Sequence, residues 1–216
     1  MLTLISKYNK KITELKNSKN KDILKLDYLG KSTFLRIVDD SDETIQLLTK
    51  WRIDNWDGYT TKFQPTFEST KVYLNKIIKD ENKILFLIIH DEKKIAHMGI
   101  SYYDEDDDCI WLENWVKDNS NVAPGIMEYV EKLFLKWIFD KFNNSKVKAF
   151  IFSDNFKTIR LHEKCGWLTL KSIPLKREFS KEGWKWIPTK LSSDEEYGER
   201  YYLIMCKENL EKRFTL

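Results

Sequence analysis

Three cysteines, Cys109, Cys165 and Cys206, are all that the 216 residues contain, an odd number without paired spacing. That argues against a disulfide framework or a zinc site and for reduced thiols in a cytoplasmic protein. An apolar run long enough to cross a bilayer is also missing. The start, Met1-Leu2-Thr3-Leu4-Ile5, is too short for a secretory signal and leads into a lysine-rich stretch. Neither sign of charge dominates: 37 Lys and Arg are interspersed with 34 Asp and Glu, a net +3. The balance gives no case for a nucleic-acid partner. Repeats, low-complexity segments and metal-ligand spacings are absent, and His90 and His97 read as core or edge histidines. What is expected is a soluble protein with one sizeable core and no membrane or metal site.

Periodicity divides the chain into alternating strands and helices, an α/β (α+β) pattern. Residues 1–30 read as an N-terminal extension with weak helical spacing from Ile5 to Leu15 and an extra strand near Ile23 to Leu29, and 31–216 as the main domain. Thr33 to Val38 predicts a strand, and Ser41 or Asp42 caps a helix that places Ile45, Leu48 and Trp51 on one face. A second helix carries Leu74, Ile77 and Ile78. Strands follow at Lys83–Ile89, Ile95–Tyr103 and Cys109–Val116. Ile126, Val130, Leu133, Phe134, Trp137 and Ile138 then share one face of a long amphipathic helix. Val147–Phe152, a short helix, Trp167–Leu175 and Tyr201–Cys206 complete the order β-α-α-β-β-β-α-β-α-β-β.

The segment from Asn155 to Trp167 is the most specific. Asn155 is placed to cap a helix, Gly166 to end it in a left-handed conformation, and Trp167 to re-enter the core. It resembles the Asn-x-x-Ser/Thr-x-x-Leu-Tyr-x-x-x-Gly-Phe signature of the GNAT superfamily of N-acetyltransferases. Asn155, Thr158, Leu161 and Gly166 match, Trp167 stands at the Phe position, and His162 at the Tyr position. The element order matches too, over roughly residues 33 to 207.

The resemblance implies a mixed, mostly antiparallel central sheet of about seven strands with helices on both faces. It implies acetyl-CoA, or another acyl-CoA, as the acyl donor. Asn155 and Thr158 would then contact the CoA arm, and the backbone of Trp115 and Val116 would run beside the pantetheine amides. The pyrophosphate would lie on Ser120-Asn121-Val122-Ala123-Pro124-Gly125 and Ile126, where the long helix begins and backbone N–H groups attract anions. The family pattern there is degenerate: Gly125 keeps the last position, whereas Ala123 and Ser120 replace a glycine and a basic or amide residue.

The same resemblance makes Glu113 the candidate base or amine-binding carboxylate, with Trp111, Leu112 and Trp115 expected to raise its pKa. A structural carboxylate is the other reading. His162 is either the proton donor to the CoA thiolate or packing beside the cofactor. The acceptor would enter between Arg52, Asn55 and Trp56 on one side and Trp184 and Trp186, in a long 176–200 loop, on the other. Aromatic faces beside Lys and Arg suit a sugar or nucleotide. The expected partner is a small-molecule amine, a nucleotide-linked amino sugar among the options, acting on a monomer or homodimer. Peptide N-termini, protein lysines, aminoglycosides and polyamines stay open. So do an acyl-CoA sensor without turnover and a structural module on the same fold.

Overall fold

The computed structural model describes residues 3–118, 122–191 and 197–213. Why the sheet is the backbone of this fold is plainest at β4 (Ile84–His90), where all seven residues are buried. Side chains alternate across a strand. Ile84, Phe86 and Ile88 therefore enter one core while Leu85, Leu87 and Ile89 enter another. An uninterrupted apolar run is what a strand covered on both faces requires.

One face is covered by α2 (Asp42–Asp54) and α3 (Phe67–Lys79), whose Ile45, Leu48, Trp51, Leu74 and Ile77 meet Leu85 and Leu87. The other is covered by α1 (Leu4–Asn17), α4 (Ile126–Phe142) and α5 (Phe156–Lys164). Tyr8 and Ile12 of α1 belong to the same core cluster as Val130, Phe134 and Ile138 of α4 and Trp167 after α5. Truncating a buried ring such as Phe134, 0% exposed, would cost about 3–5 kcal/mol.

Among the described residues the sheet has ten strands in the order β1-β2-β4-β5-β6-β7-β10-β8-β9-β3, more than the seven expected. Three elements account for the excess. The strand read as an extra, β1 (Asp22–Tyr28), pairs antiparallel with β2 (Lys31–Ile37). The stretch taken as a long loop after residue 176 is instead a hairpin of β8 (Leu168–Ser180) and β9 (Gly183–Pro188). A two-residue β3 (Thr61–Lys62) closes on β9. That last pairing demands glycine at 183: its φ is +151°, and a Cβ there would stand 2.0 Å from the Lys62 carbonyl oxygen.

Among the described residues all strand pairs are antiparallel except β6 (Cys109–Lys117) with β7 (Lys146–Phe152). This parallel pairing stops at Leu112 and Ala149, although β6 runs on to Lys117. A bulge drives the divergence. His97 of β5 (Lys93–Asp104) faces Val116 while Gly99 faces Glu113, so β6 spends one extra residue there. Asn114 takes it up at φ +60°, a left-handed conformation that Asn tolerates better than most, and its side chain donates to Tyr73 Oη at 2.8 Å. The sheet therefore splits beyond Leu112.

The remaining strand, β10 (Arg200–Glu208), lies between β7 and β8. Cys109, Cys165 and Cys206 are free and buried, and burial raises the pKa of each thiol, to about 12 for Cys165. Among the described residues no helix is long and apolar enough to cross a membrane, and no group of side chains could hold a metal ion.

Candidate active site

A cleft of about 1430 Å³ opens where the sheet splits. Its first end is formed by Trp115, Val116 and Lys117 of β6, by Val122 to Met127 at the start of α4, and by one face of α5. Helices α1, α2, α3 and α5 each begin with a side-chain cap from Thr3, Ser41, Thr66 and Asn155. Helix α4 begins at Gly125, which has no side chain to cap it. The first helical N–H, that of Ile126, donates to the Ala123 carbonyl at 3.3 Å, and among the described residues the N–H groups that follow have no side-chain cap where Gly125, Ile126 and Met127 line the cleft. Gly125 sits at φ +80°, and a Cβ on it would come 2.8 Å from the Tyr28 hydroxyl. That hydroxyl donates to the Pro124 carbonyl at 2.6 Å, tying β1 to this turn.

Helix α5 supplies the opposite wall. Asn155 Oδ1 accepts from the Thr158 backbone N–H at 3.3 Å, and Gly166 follows the helix at φ +82°. Asn155 and Thr158 line the cleft, as do Lys157, Arg160 and Lys164. These three recur at i, i+3 and i+7, one helix face, which makes a cationic stripe opposite the uncapped end of α4.

The second end is built by Asn55, Trp56, Gly58, Tyr59 and Lys62 facing Asp154, Trp184, Trp186 and Arg200. Trp184 and Trp186 meet edge to face at 5.1 Å. The Arg200 guanidinium lies 3.5 Å above the Phe152 ring and 2.8 Å from Asp154.

The family model described as "Acetyltransferase (GNAT) domain" matches residues 33–167, more than half of the chain. The chain belongs to the GNAT family. It is accordingly an N-acetyltransferase that depends on acetyl-CoA. Two solved structures are among its structural neighbours. Spermidine N-acetyltransferase from Vibrio cholerae, in complex with CoA and spermine, superposes with a TM-score of 0.63 at 12% identity, over 84% of this chain and 98% of that one. The ribosomal L7/L12 alpha-N-protein acetyltransferase RimL, in complex with CoA, gives 0.61 at 11%, over 82% and 93%. At such identities the likeness is one of fold. No curated protein sequence matches the chain.

The cleft fits acetyl-CoA on its own features: a split sheet edge, an uncapped helix N-terminus for a pyrophosphate, and lysines and arginine on the facing helix. Of the residues expected to touch the cofactor, Trp115, Val116, Val122, Ala123, Gly125, Ile126, Asn155 and Thr158 all line it. Ser120 and Asn121 lie outside the described residues. Of the expected acceptor residues, Asn55, Trp56, Trp184 and Trp186 line the second end. Arg52 does not. It is sandwiched between the Tyr59 and Phe63 rings at 4.1 and 4.6 Å and donates to the Thr61 carbonyl.

Neither residue expected to do proton chemistry lines the cleft. Glu113 was to sit among tryptophans, but its carboxylate instead meets the Lys83 ammonium at 3.2 and 3.4 Å. A sequence gives no sign of a partner thirty residues away across two strands. His162 is 1% exposed, stacked on Trp167 at 4.8 Å, with Trp115 edge-on at 5.2 Å. Its Nδ1 donates to Glu131 Oε1 at 2.7 Å. With Nδ1 taken by Glu131 and the ring outside the cleft, the side chain is not placed to donate to sulfur. Sequence reasoning missed Glu131, Lys62 and Arg200, because charged side chains read as surface. It also passed over the α5 stripe of Lys157, Arg160 and Lys164, although the i, i+3, i+7 spacing was a signal that could have shown it.

Proposed function

We propose that the chain transfers the acetyl group of acetyl-CoA to the primary amine of a small acceptor, with an amino sugar, free or nucleotide-linked, as the class that suits the cleft best. The observation that carries this is one continuous cleft with two chemically different ends. Its first end offers backbone N–H groups and the cations of α5 to phosphates, and an unpaired stretch of β6 to amides. Its second offers the indoles of Trp56, Trp184 and Trp186, flat faces on which a sugar or base can rest, with Asn55 as a polar contact.

The co-substrate supplies an activated acyl carbon when bound. Transfer forms one C–N bond and breaks one C–S bond, while the amine loses a proton and the thiolate gains one. The first half of the work falls to position: β6 and α4 fix the thioester, the indoles fix the amine, and alignment alone contributes several kcal/mol to the barrier. Since Glu113 is held by Lys83 and His162 by Glu131, proton exchange is assigned to water in the open cleft. His162 and Trp167 support Trp115 from behind.

The test is thiol release from acetyl-CoA with glucosamine, spermidine and an N-terminal peptide offered in turn. Release with glucosamine ahead of the other two supports the reading. Release confined to the peptide would overturn the acceptor class and leave the acetyl transfer.

A further inference from the structure

Lys62 is a lysine in an unusual place. Its side chain is only 3% exposed, yet it lines the second end of the cleft. The ammonium lies 5.3 Å from the Trp56 ring and 5.9 Å from the Trp184 ring and donates to the Trp56 carbonyl. Its nearest carboxylate, Asp57, stands 4.0 Å away and is itself 98% exposed. Arg200 also lines this end, and its charge is already matched by Asp154 at 2.8 Å. Arg52, behind Tyr59, adds a third cation and has no carboxylate partner among the described residues. Nearby acids are engaged elsewhere: Glu199 by Arg177 at 2.5 Å and Asp54 by Lys50.

Burying an ammonium is costly unless an anion meets it. Here a carbonyl, two indole faces and the exposed Asp57 at 4.0 Å take part of that role, and among the described residues the ammonium makes no further hydrogen bond. Burial holds the Lys62 pKa below its ordinary value, and Arg200 and Arg52 add to the effect.

We propose that Lys62 is a specificity residue that selects acceptors carrying an anionic group, a phosphate or a carboxylate, beyond the amine, and that rejects polyamines. This rests on the acetyl-transfer reading and narrows its acceptor. The anion completes the shell of a cation the fold has already desolvated. The buried Lys62 ammonium disfavours a second ammonium beside it and so favours the neutral, nucleophilic form of the amine there. A polyamine would bring two further positive charges to Lys62, Arg52 and Arg200. The β3–β9 pairing, which Gly183 alone permits, holds Lys62 in place on the cleft wall.

The experiment is calorimetry on the chain saturated with CoA, which fills the other phosphate-binding end. Inorganic phosphate, glucosamine 6-phosphate, glucosamine and spermidine are titrated in turn. The expected result is that phosphate binds, that glucosamine 6-phosphate binds at least tenfold tighter than glucosamine, and that spermidine is the weakest. Lys62→Met and, as a second neutral form, Lys62→Gln should remove the phosphate preference, while Lys62→Arg keeps most of it. The wild-type comparison decides even if the neutral variants do not fold. Spermidine binding tighter than glucosamine 6-phosphate, or a phosphate preference unchanged in a folded Lys62→Met, would overturn the proposal. Absence of CoA binding with phosphate selection intact would instead overturn the acetyl-transfer reading and leave the Lys62 site standing.

Discussion

The carboxylate of Glu131 lies 2.7 Å from Nδ1 of His162, and neither side chain is more than 1% exposed. The pair joins α4 to α5, the two helices that wall the cofactor end of the cleft. It occupies the place where the family signature has a tyrosine.

His162→Phe should keep the stacking on Trp167 but leave the Glu131 carboxylate buried without its partner. Breaking a buried pair costs about 3–5 kcal/mol, so the melting temperature should fall by roughly 6–20 °C for a chain of this size. Adding Glu131→Leu should recover most of that loss. In the folded variants kcat is expected within tenfold of wild type. A fall of about 10²–10⁴-fold would return His162 to the role of proton donor.

Glu113→Gln tests the carboxylate that Lys83 engages. Turnover is expected to change less than tenfold, since the side chain does not line the cleft. Steady-state rates across pH 6–9 check this, and a loss of about 10²-fold or more would make Glu113 the base after all.

Gly125 is required by the backbone and by Tyr28 together. Gly125→Glu should lower CoA affinity more than tenfold, about 1.4 kcal/mol, by placing a negative side chain at the uncapped start of α4. Gly125→Ala in a Tyr28→Phe background separates charge from sterics, because the 2.8 Å contact with the hydroxyl is then gone. Calorimetric CoA affinity should be only partly restored in that double variant, because φ +80° strains an alanine even with the clash removed.

His97 gives the fold a pH dependence. Burial against Trp51 pushes its pKa down from 6.5 to about 4, so it is neutral in the folded chain and charged below pH 6.5 in the unfolded one. Its contribution is full above pH 6.5 and declines as pH falls toward 4, by about 3 kcal/mol across the window at roughly 1.4 kcal/mol per unit. The carboxylates whose pKa is lowered by lysine or arginine, Asp22 and Asp107 among them, act only at lower pH, below the ordinary carboxylate range. Urea titrations at pH 7 and 5 should show the loss in wild type and not in His97→Asn.

What could be read in the sequence was whatever repeats or is locally enforced. The apolar run of β4, the Asn155 cap, the glycine after α5 and the spacing along α4 each declare themselves over a few neighbouring residues. Pairings between distant segments did not. β3 is two residues long and has no period to detect, and its partner β9 is recognisable only once Gly183 is seen to admit the Lys62 carbonyl. Glu131 and Lys62 carry charges that composition assigns to the surface, and Glu113 reads as a site residue without its lysine. Their partners lie 31, 6 and 30 positions away, and only the folded sheet brings them together.

The cleft at the split between β6 and β7 is expected to bind acetyl-CoA. The most direct measurement is thermal unfolding of the wild-type chain with and without acetyl-CoA. At about 100 times Kd a ligand of the folded state contributes roughly 2.7 kcal/mol, which for a chain of this size raises the melting temperature by about 5–10 °C. That rise is expected in wild type, and a smaller one in Gly125→Glu. An unchanged melting temperature at millimolar acetyl-CoA, or an equal rise in wild type and Gly125→Glu, would contradict binding at this cleft.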